Sequence, residues 1–335
     1  MATYKGIQGY TVQSLSSDPP AAEAVAQLWY NSTTWKFKIG TQSAGTWASA
    51  SSMPTNKGLA TAVGTTPAAI YCGGSTATAY VNTTMEYDGS SWSAGPAMVT
   101  GTSGAFGFGI QTAAIQAGGY APPANTDATE SFNGTAWTET GHTLNIARDG
   151  GASAGTSTAG LAVAGQPPAT NQADTELYNG STWTETNNLN NARSRPEGSS
   201  VGTQTAALLC GSADLPAANA AQVESFDGTS WSEENDLNTG RGYGGAAGIS
   251  TLALAFAGMA YNGSSTKYTQ TESWNGTSWT EESDISTAKA YVNGCGTGNS
   301  ALLAGGVTGP SSTPNNDTAE VWTDPVYAIK TVTVS

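Results

Sequence analysis

The chain has 335 residues, 42 of them glycine, and only 11% are charged, which excludes helical bundles and coiled coils, whose surfaces need Glu, Lys, Arg and Ala at helical spacing. Its 38% hydrophobic content is enough to fold, yet its length exceeds the ~250–300 residues at which one ordinary core stops growing. Eleven Lys and Arg against 25 Asp and Glu give a net charge of −14, which repels phosphate backbones and anionic head groups and excludes nucleic acid as an expected partner.

In chain order, residues 1–40 come first as a separate segment. The opening Met1-Ala2-Thr3-Tyr4-Lys5-Gly6 lacks the apolar stretch of a secretory signal, and nowhere does an apolar run reach the ~18 residues of a membrane span. After a spacer at Asp18-Pro19-Pro20, the run Gln27 to Lys38 reads as strand, turn and strand. Its aromatics Trp29, Tyr30 and Trp35 need burial, and a lone hairpin is marginal in water. They are therefore expected to anchor the segment on the rest of the chain, on the carboxy-terminal strand from Val326 to Val334, or on another subunit.

From residue 41 the chain repeats itself. The segments 85–92, 130–137, 176–183, 224–231 and 272–279 each place an aromatic residue, an Asn-Gly or Asp-Gly pair and a Trp at the same offsets. With Trp47 added, the tryptophans fall at 47, 92, 137, 183, 231 and 279, a period of propeller-blade length. Six runs of small and branched residues ending in Gly, at 68–74, 113–119, 160–165, 206–211, 252–258 and 301–306, predict strands buried on both faces near an axis. The Asn-Gly and Asp-Gly pairs predict two-residue hairpins with positive φ at both central positions.

These units resemble the Kelch repeat, whose Gly-Gly doublet, aromatic residue and Trp are matched by Gly118-Gly119, Phe132 and Trp137, and by Gly73-Gly74, Tyr87 and Trp92. Ala164-Gly165, Cys210-Gly211 and Ala257-Gly258 depart from the doublet. The resemblance implies an all-β, six-bladed Kelch-like propeller over residues 41–324. The last unit, ending at Glu320-Val321-Trp322, lacks a Trp strand, and Trp47 lacks the strand before it. Pairing the two closes the ring, leaving 325–335 as a carboxy-terminal strand.

A second periodicity joins Glu to a basic residue 17 or 18 positions later: Glu130 with Arg148, Glu176 with Arg193, Glu224 with Arg241 and Glu272 with Lys289. Met85 and Thr102 hold the same slots in the first unit, and ring closure pairs Glu320 with Lys57. Structural ion pairs are the expectation, because an unpaired buried charge costs more than losing both partners.

Three separated cysteines, Cys72, Cys210 and Cys295, and a single histidine, His142, exclude a disulfide framework, a multi-histidine zinc site and a two-histidine copper site. No metal or cofactor is expected. His142 reads as a surface-loop insertion, and the cysteines as small buried apolar residues. The turn at Asp227-Gly228-Thr229-Ser230-Trp231 is one residue short of the sialidase Asp-box.

Recognition is expected on the connectors that follow the Gly-ending strands, because loops on a rigid scaffold carry binding. Their aromatics Tyr80, Tyr120, Tyr261 and Tyr268 are the candidate binding residues, with Pro122-Pro123 and Pro167-Pro168 stiffening two of the loops. Residues 1–40, with Leu28-Trp29-Tyr30-Asn31-Ser32-Thr33, resemble the amino termini of fibre and appendage proteins of marine bacteriophages. That resemblance implies a non-enzymatic virion protein assembled in the host cytoplasm. Its expected partners are other virion proteins or copies of itself through residues 1–40, and a host-surface glycan or protein on the loops. The alternatives are a lectin-like propeller and, behind it, a glycan-active enzyme.

Overall fold

In the computed structural model the described residues are 12–21, 23–24, 26–42, 44–167, 172–195, 201–213, 219–260, 266–309, 316–324 and 327–332. Tyr261 and Pro168 lie outside them. Every regular element among the described residues is a β-strand. The chain divides into two units, one of Met1–Gly45 with Asp324–Ser335 and the other of Thr46–Thr323.

In the larger unit, four-stranded antiparallel sheets repeat. The first runs Thr61–Thr65, Ala68–Cys72, Thr84–Tyr87 and Trp92–Gly95 in consecutive order. The same order recurs over 106–143, 152–186, 201–233 and 245–281. A sixth sheet takes Asn293–Thr297, Ser300–Ala304 and Ala319–Thr323 from the end of the unit and Thr46–Ala50 from its start, with Trp322 opposite Trp47.

The Gly-ending runs form the second strand of each sheet and are buried on both faces, as their composition requires. They are not the strands nearest the centre, as the sequence suggested. The first strands hold that place. Residues of all six, among them Val63, Phe108, Ala154, Val201, Ala247 and Cys295, surround one cavity of about 150 Å³. The next-to-last residue of each first strand is a Gly at positive φ (Gly64, Gly109, Gly155, Gly202, Gly248 and Gly296). At Gly155 an added Cβ would lie 2.2 Å from the Ala159 carbonyl oxygen, so no side chain fits that turn.

The aromatic-to-Trp turns also differ from expectation. Four residues separate Tyr87 from Trp92, which pair directly, and only the Gly takes positive φ. The Asp88 carboxylate instead accepts the N–H groups of Ser90 and Ser91 at 2.8 and 2.7 Å, and Asn133 does the same for Thr135 and Ala136. The Asn or Asp is there for its side-chain oxygen.

Six apolar clusters fill the unit, each drawn from two neighbouring sheets. One of them sets Leu302 and Ala319 of the sixth sheet against Tyr71 and Met85 of the first. Each sheet is thus covered on both faces, which resolves how so long a chain packs without one oversized core.

A polar contact accompanies this packing. The outer-strand Trp donates Nε1–H to a Thr hydroxyl of the preceding sheet: Trp137 to Thr84, Trp183 to Thr129, Trp231 to Thr175 and Trp47 to Thr271, at 2.9–3.0 Å. Trp279 has no acceptor for its Nε1–H, because the corresponding residue of the fourth sheet is Val223, packed in the same cluster.

The smaller unit is one sheet in which Lys36–Gln42 pairs with Leu28–Asn31 on one side and Tyr327–Thr331 on the other. The carboxy-terminal strand, one of the three expected partners for the hairpin, pairs with it. The sheet runs past residue 40 because the ladder extends to Gln42. Trp29 is buried inside this unit with its Nε1–H on Asp18 Oδ1 at 3.0 Å, so it is not an outward anchor. Tyr30 is half-buried and packs on Phe37, ring centroids 5.3 Å apart. Trp35 alone of the three presents its ring, at 78% exposure.

Val223→Thr supplies the missing acceptor and is expected to stabilise the protein by about 1 kcal/mol, whereas Thr175→Val strands the Trp231 N–H and costs about 1–3 kcal/mol. Urea unfolding of both variants measures the pair of shifts.

Candidate binding site

The Glu and basic slots do form buried ion pairs, but with different partners from those the spacing suggested. Arg148 pairs with Glu176, Arg193 with Glu224, Arg241 with Glu272 at 2.5 Å and Lys289 with Glu320 at 3.5 Å. The basic residue sits on the crossover entering a sheet and reaches the Glu of that same sheet, not the Glu behind it. The carboxylate also accepts backbone N–H groups three residues before the basic slot: Asn145 to Glu176, Asn190 to Glu224, Asn238 to Glu272 and Ser286 to Glu320. Each Glu therefore pins its crossover by charge and by backbone hydrogen bonds together.

With the true pairing, the two exceptions in the first unit fall on different sheets. Lys57 belongs with Met85, and Glu130 with Thr102. Lys57 is buried, and its ammonium donates to the carbonyls of Tyr71 and Thr83 at 3.3 and 3.0 Å instead of to a carboxylate. Burial lowers its pKa to about 8. Glu130 accepts from Val99 and Thr100 at 2.9 and 2.8 Å, and burial raises its pKa. Where an arginine would lie, Gln116 fills the space and donates to Thr102 Oγ1 at 2.5 Å. Its Oε1 lies 3.1 Å from the sulfur of Cys72, whose thiol burial pushes up to about 12. All three cysteines are buried, and none forms a disulfide. These slots hold the scaffold together and face no open surface.

Two residues beyond each basic slot, six residues share a left-handed backbone: Leu59, Gly104, Gly150, Arg195, Tyr243 and Tyr291, with φ of 53–64°. Their amides link in sequence. Gly104 donates to Leu59, Gly150 to Gly104, Arg195 to Gly150 and Tyr243 to Arg195, at 2.7–3.3 Å. Val292 then donates to Tyr243 at 3.4 Å, and Leu59 to Tyr291 at 3.0 Å. Glycine suits such a position, and a side chain there costs about 1–2 kcal/mol. Four of the six carry one nevertheless. Arg195 lies over the Tyr243 ring at 5.5 Å, and the Tyr243 and Tyr291 rings are 4.3 Å apart. Strained backbone of this kind is concentrated at functional sites in proteins generally.

The six left-handed residues together line a small mouth, and two of them, Arg195 and Leu59, also line a groove of about 490 Å³. Two of the four expected aromatics meet there. Tyr80 and Tyr120 stand edge to face with centroids 5.1 Å apart, and Tyr80 is 44% exposed. Pro123 and Pro167 border them; Tyr120–Ala121 and Ala124–Asn125 form a two-stranded ribbon around Pro122-Pro123. The rest of the lining includes a polar cluster. Arg195 pairs with Asp149 at 3.3 Å, and Asn125 donates to Asp149 Oδ1 at 3.1 Å and to the Gln166 carbonyl at 2.7 Å. Tyr268 is half-buried and does not line the groove. Sequence reasoning missed Arg195, Tyr243 and Tyr291, although a fixed offset from the basic slot could have found them.

His142 does not stand free in a loop. It lies on the strand Trp137–Thr143, its Nδ1 2.9 Å from the Tyr178 hydroxyl of the next sheet, and its extra residue is absorbed as a break in register between Ala128 and Glu130. Among the described residues no three His, Cys, Asp or Glu side chains gather as a metal site would require.

The chain superimposes on a solved structure titled "Structure of YjhT", a β-propeller-like protein, with a TM-score of 0.68 and 12% identity over 83% of this chain and 99% of that one. The likeness shows the fold, a β-propeller. No protein-family model matches the sequence, and no curated protein does.

Met85→Glu gives Lys57 the carboxylate its counterparts have. Lys57 titrates near 8 in the fold against 10.5 in the unfolded chain, so the unfolded chain binds more protons between those values and wild-type stability rises with pH across that window. The variant is expected to lose that rise and to gain about 1–3 kcal/mol at pH 7. Chemical denaturation at pH 7, 9 and 10.5 reads both effects.

Proposed function

We propose that the chain is a closed, six-bladed Kelch-like propeller that serves as a non-enzymatic recognition component of a bacteriophage particle. In this reading the smaller unit attaches the protein to other virion proteins or to further copies of itself, and the propeller presents its loop face to a host surface. No cofactor takes part. The observation that carries the recognition role is the groove, which is lined together by Tyr80, Tyr120 and Pro123 and by the hydrogen-bonded polar side chains of Asn125, Asp149 and Arg195.

Several features support the closed ring. They are the pairing of Thr46–Ala50 with Ala319–Thr323, the Trp47 bond to Thr271 and the return of the amide chain from Tyr291 to Leu59. The attachment role is supported by the resemblance of residues 1–40 to phage appendage proteins and by Trp35, exposed at the tip of its hairpin.

Truncation to residues 46–323 is expected to leave a folded propeller with an unchanged far-ultraviolet spectrum and to abolish its incorporation into particles. Full incorporation of the truncated chain contradicts the attachment role.

A further inference from the structure

We infer that the groove binds an uncharged saccharide, a deduction that rests on the recognition role proposed above and names its ligand class. Three observations point to a sugar. First, the Tyr80–Tyr120 pair offers an exposed aromatic surface, and such faces take up the C–H face of a pyranose while excluding water. Second, the groove is also lined by planar polar side chains held by one another. Asn125 is fixed by Asp149 Oδ1 and by the Gln166 carbonyl, and Arg195 by Asp149 Oδ2. Arg195 also lies within 3.5 Å of Gln166 Oε1. Amide, carboxylate and guanidinium groups are thus prearranged side by side, which suits neighbouring hydroxyls that are each both donor and acceptor. Third, the volume of about 490 Å³ falls in the range of small-molecule sites.

The charge pattern separates neutral sugars from acidic ones. Arg195 is the cation of the groove, and Asp149 at 3.3 Å already neutralises it. A sialic acid or uronate would bring a second carboxylate beside Asp149, on a protein of net charge −14. Neutral hexose hydroxyls meet no such penalty.

The strained mouth fits this role. Arg195 carries its side chain at a φ of 54°, where Gly104 and Gly150 hold the equivalent positions of other sheets. The guanidinium is held over Tyr243, so its orientation toward the groove is set before a ligand arrives.

The test uses the full chain on an array carrying neutral hexose oligosaccharides, sialylated and uronate oligosaccharides, and proline-rich peptides. Binding to neutral oligosaccharides is expected. Tyr80→Ala and Asn125→Ala should each weaken it about tenfold or more, with the unfolding midpoint unchanged for the exposed Tyr80. Preference for acidic sugars, capture of the peptides alone, no binding at all, or unaltered affinity in Tyr80→Ala overturns the inference. Incorporation of Tyr80→Ala into particles, scored in parallel, separates this outcome from failure of the attachment role, since that variant leaves the smaller unit intact.

Discussion

The fold depends on one buried carboxylate in each of five sheets, at Glu130, Glu176, Glu224, Glu272 and Glu320. A crossover leaving one sheet's outer strand must travel to the inner strand of the next, and it carries backbone N–H groups that no ladder satisfies. The Glu of the sheet it enters takes those N–H groups and, through Arg148, Arg193, Arg241 or Lys289, a full positive charge. Both charges are removed from water, so each is costly alone and tolerable only together. The clamp fixes the crossover, and the crossover in turn sets the left-handed residue two positions on. That residue lines the mouth, and two of the six, Arg195 and Leu59, also line the groove.

Much of this was legible in the sequence because a repeat states each packing requirement several times. The Trp period located the sheets, and the gap at each end of the repeat located the pairing of Trp47 with Trp322. Partner choice was not legible. In a periodic chain a slot can face the unit before it or the unit after it, and equal spacing says nothing of which. The shared loss at Met85 and Thr102 suggested that these two were partners. The structure assigns them to separate sheets, leaving Lys57 on backbone carbonyls and Glu130 on backbone amides.

The candidate groove was half legible. Tyr80 and Tyr120 stood out as aromatics in connectors of variable content. Arg195, Tyr243 and Tyr291 did not, because a left-handed backbone leaves no trace in composition when the residue there is not glycine. The same limit hid the inner strands. Their Gly-rich sequences carry no strand signal, yet the small side chains are what allow six strands to approach one narrow cavity. Rigid sheets with short, differing connectors let the binding surface vary without disturbing the clamps beneath it.

The central claim is that each acidic slot is coupled to the basic slot preceding it. Two double-mutant cycles in urea test it most directly, one on Arg193 with Glu224 and the other on Glu224 with Arg241. An interaction energy toward the top of the ~0.5–3 kcal/mol range is expected for the first pair, and a value within about 0.5 kcal/mol of zero for the second. Strong coupling of Glu224 to Arg241, with none to Arg193, would contradict the account.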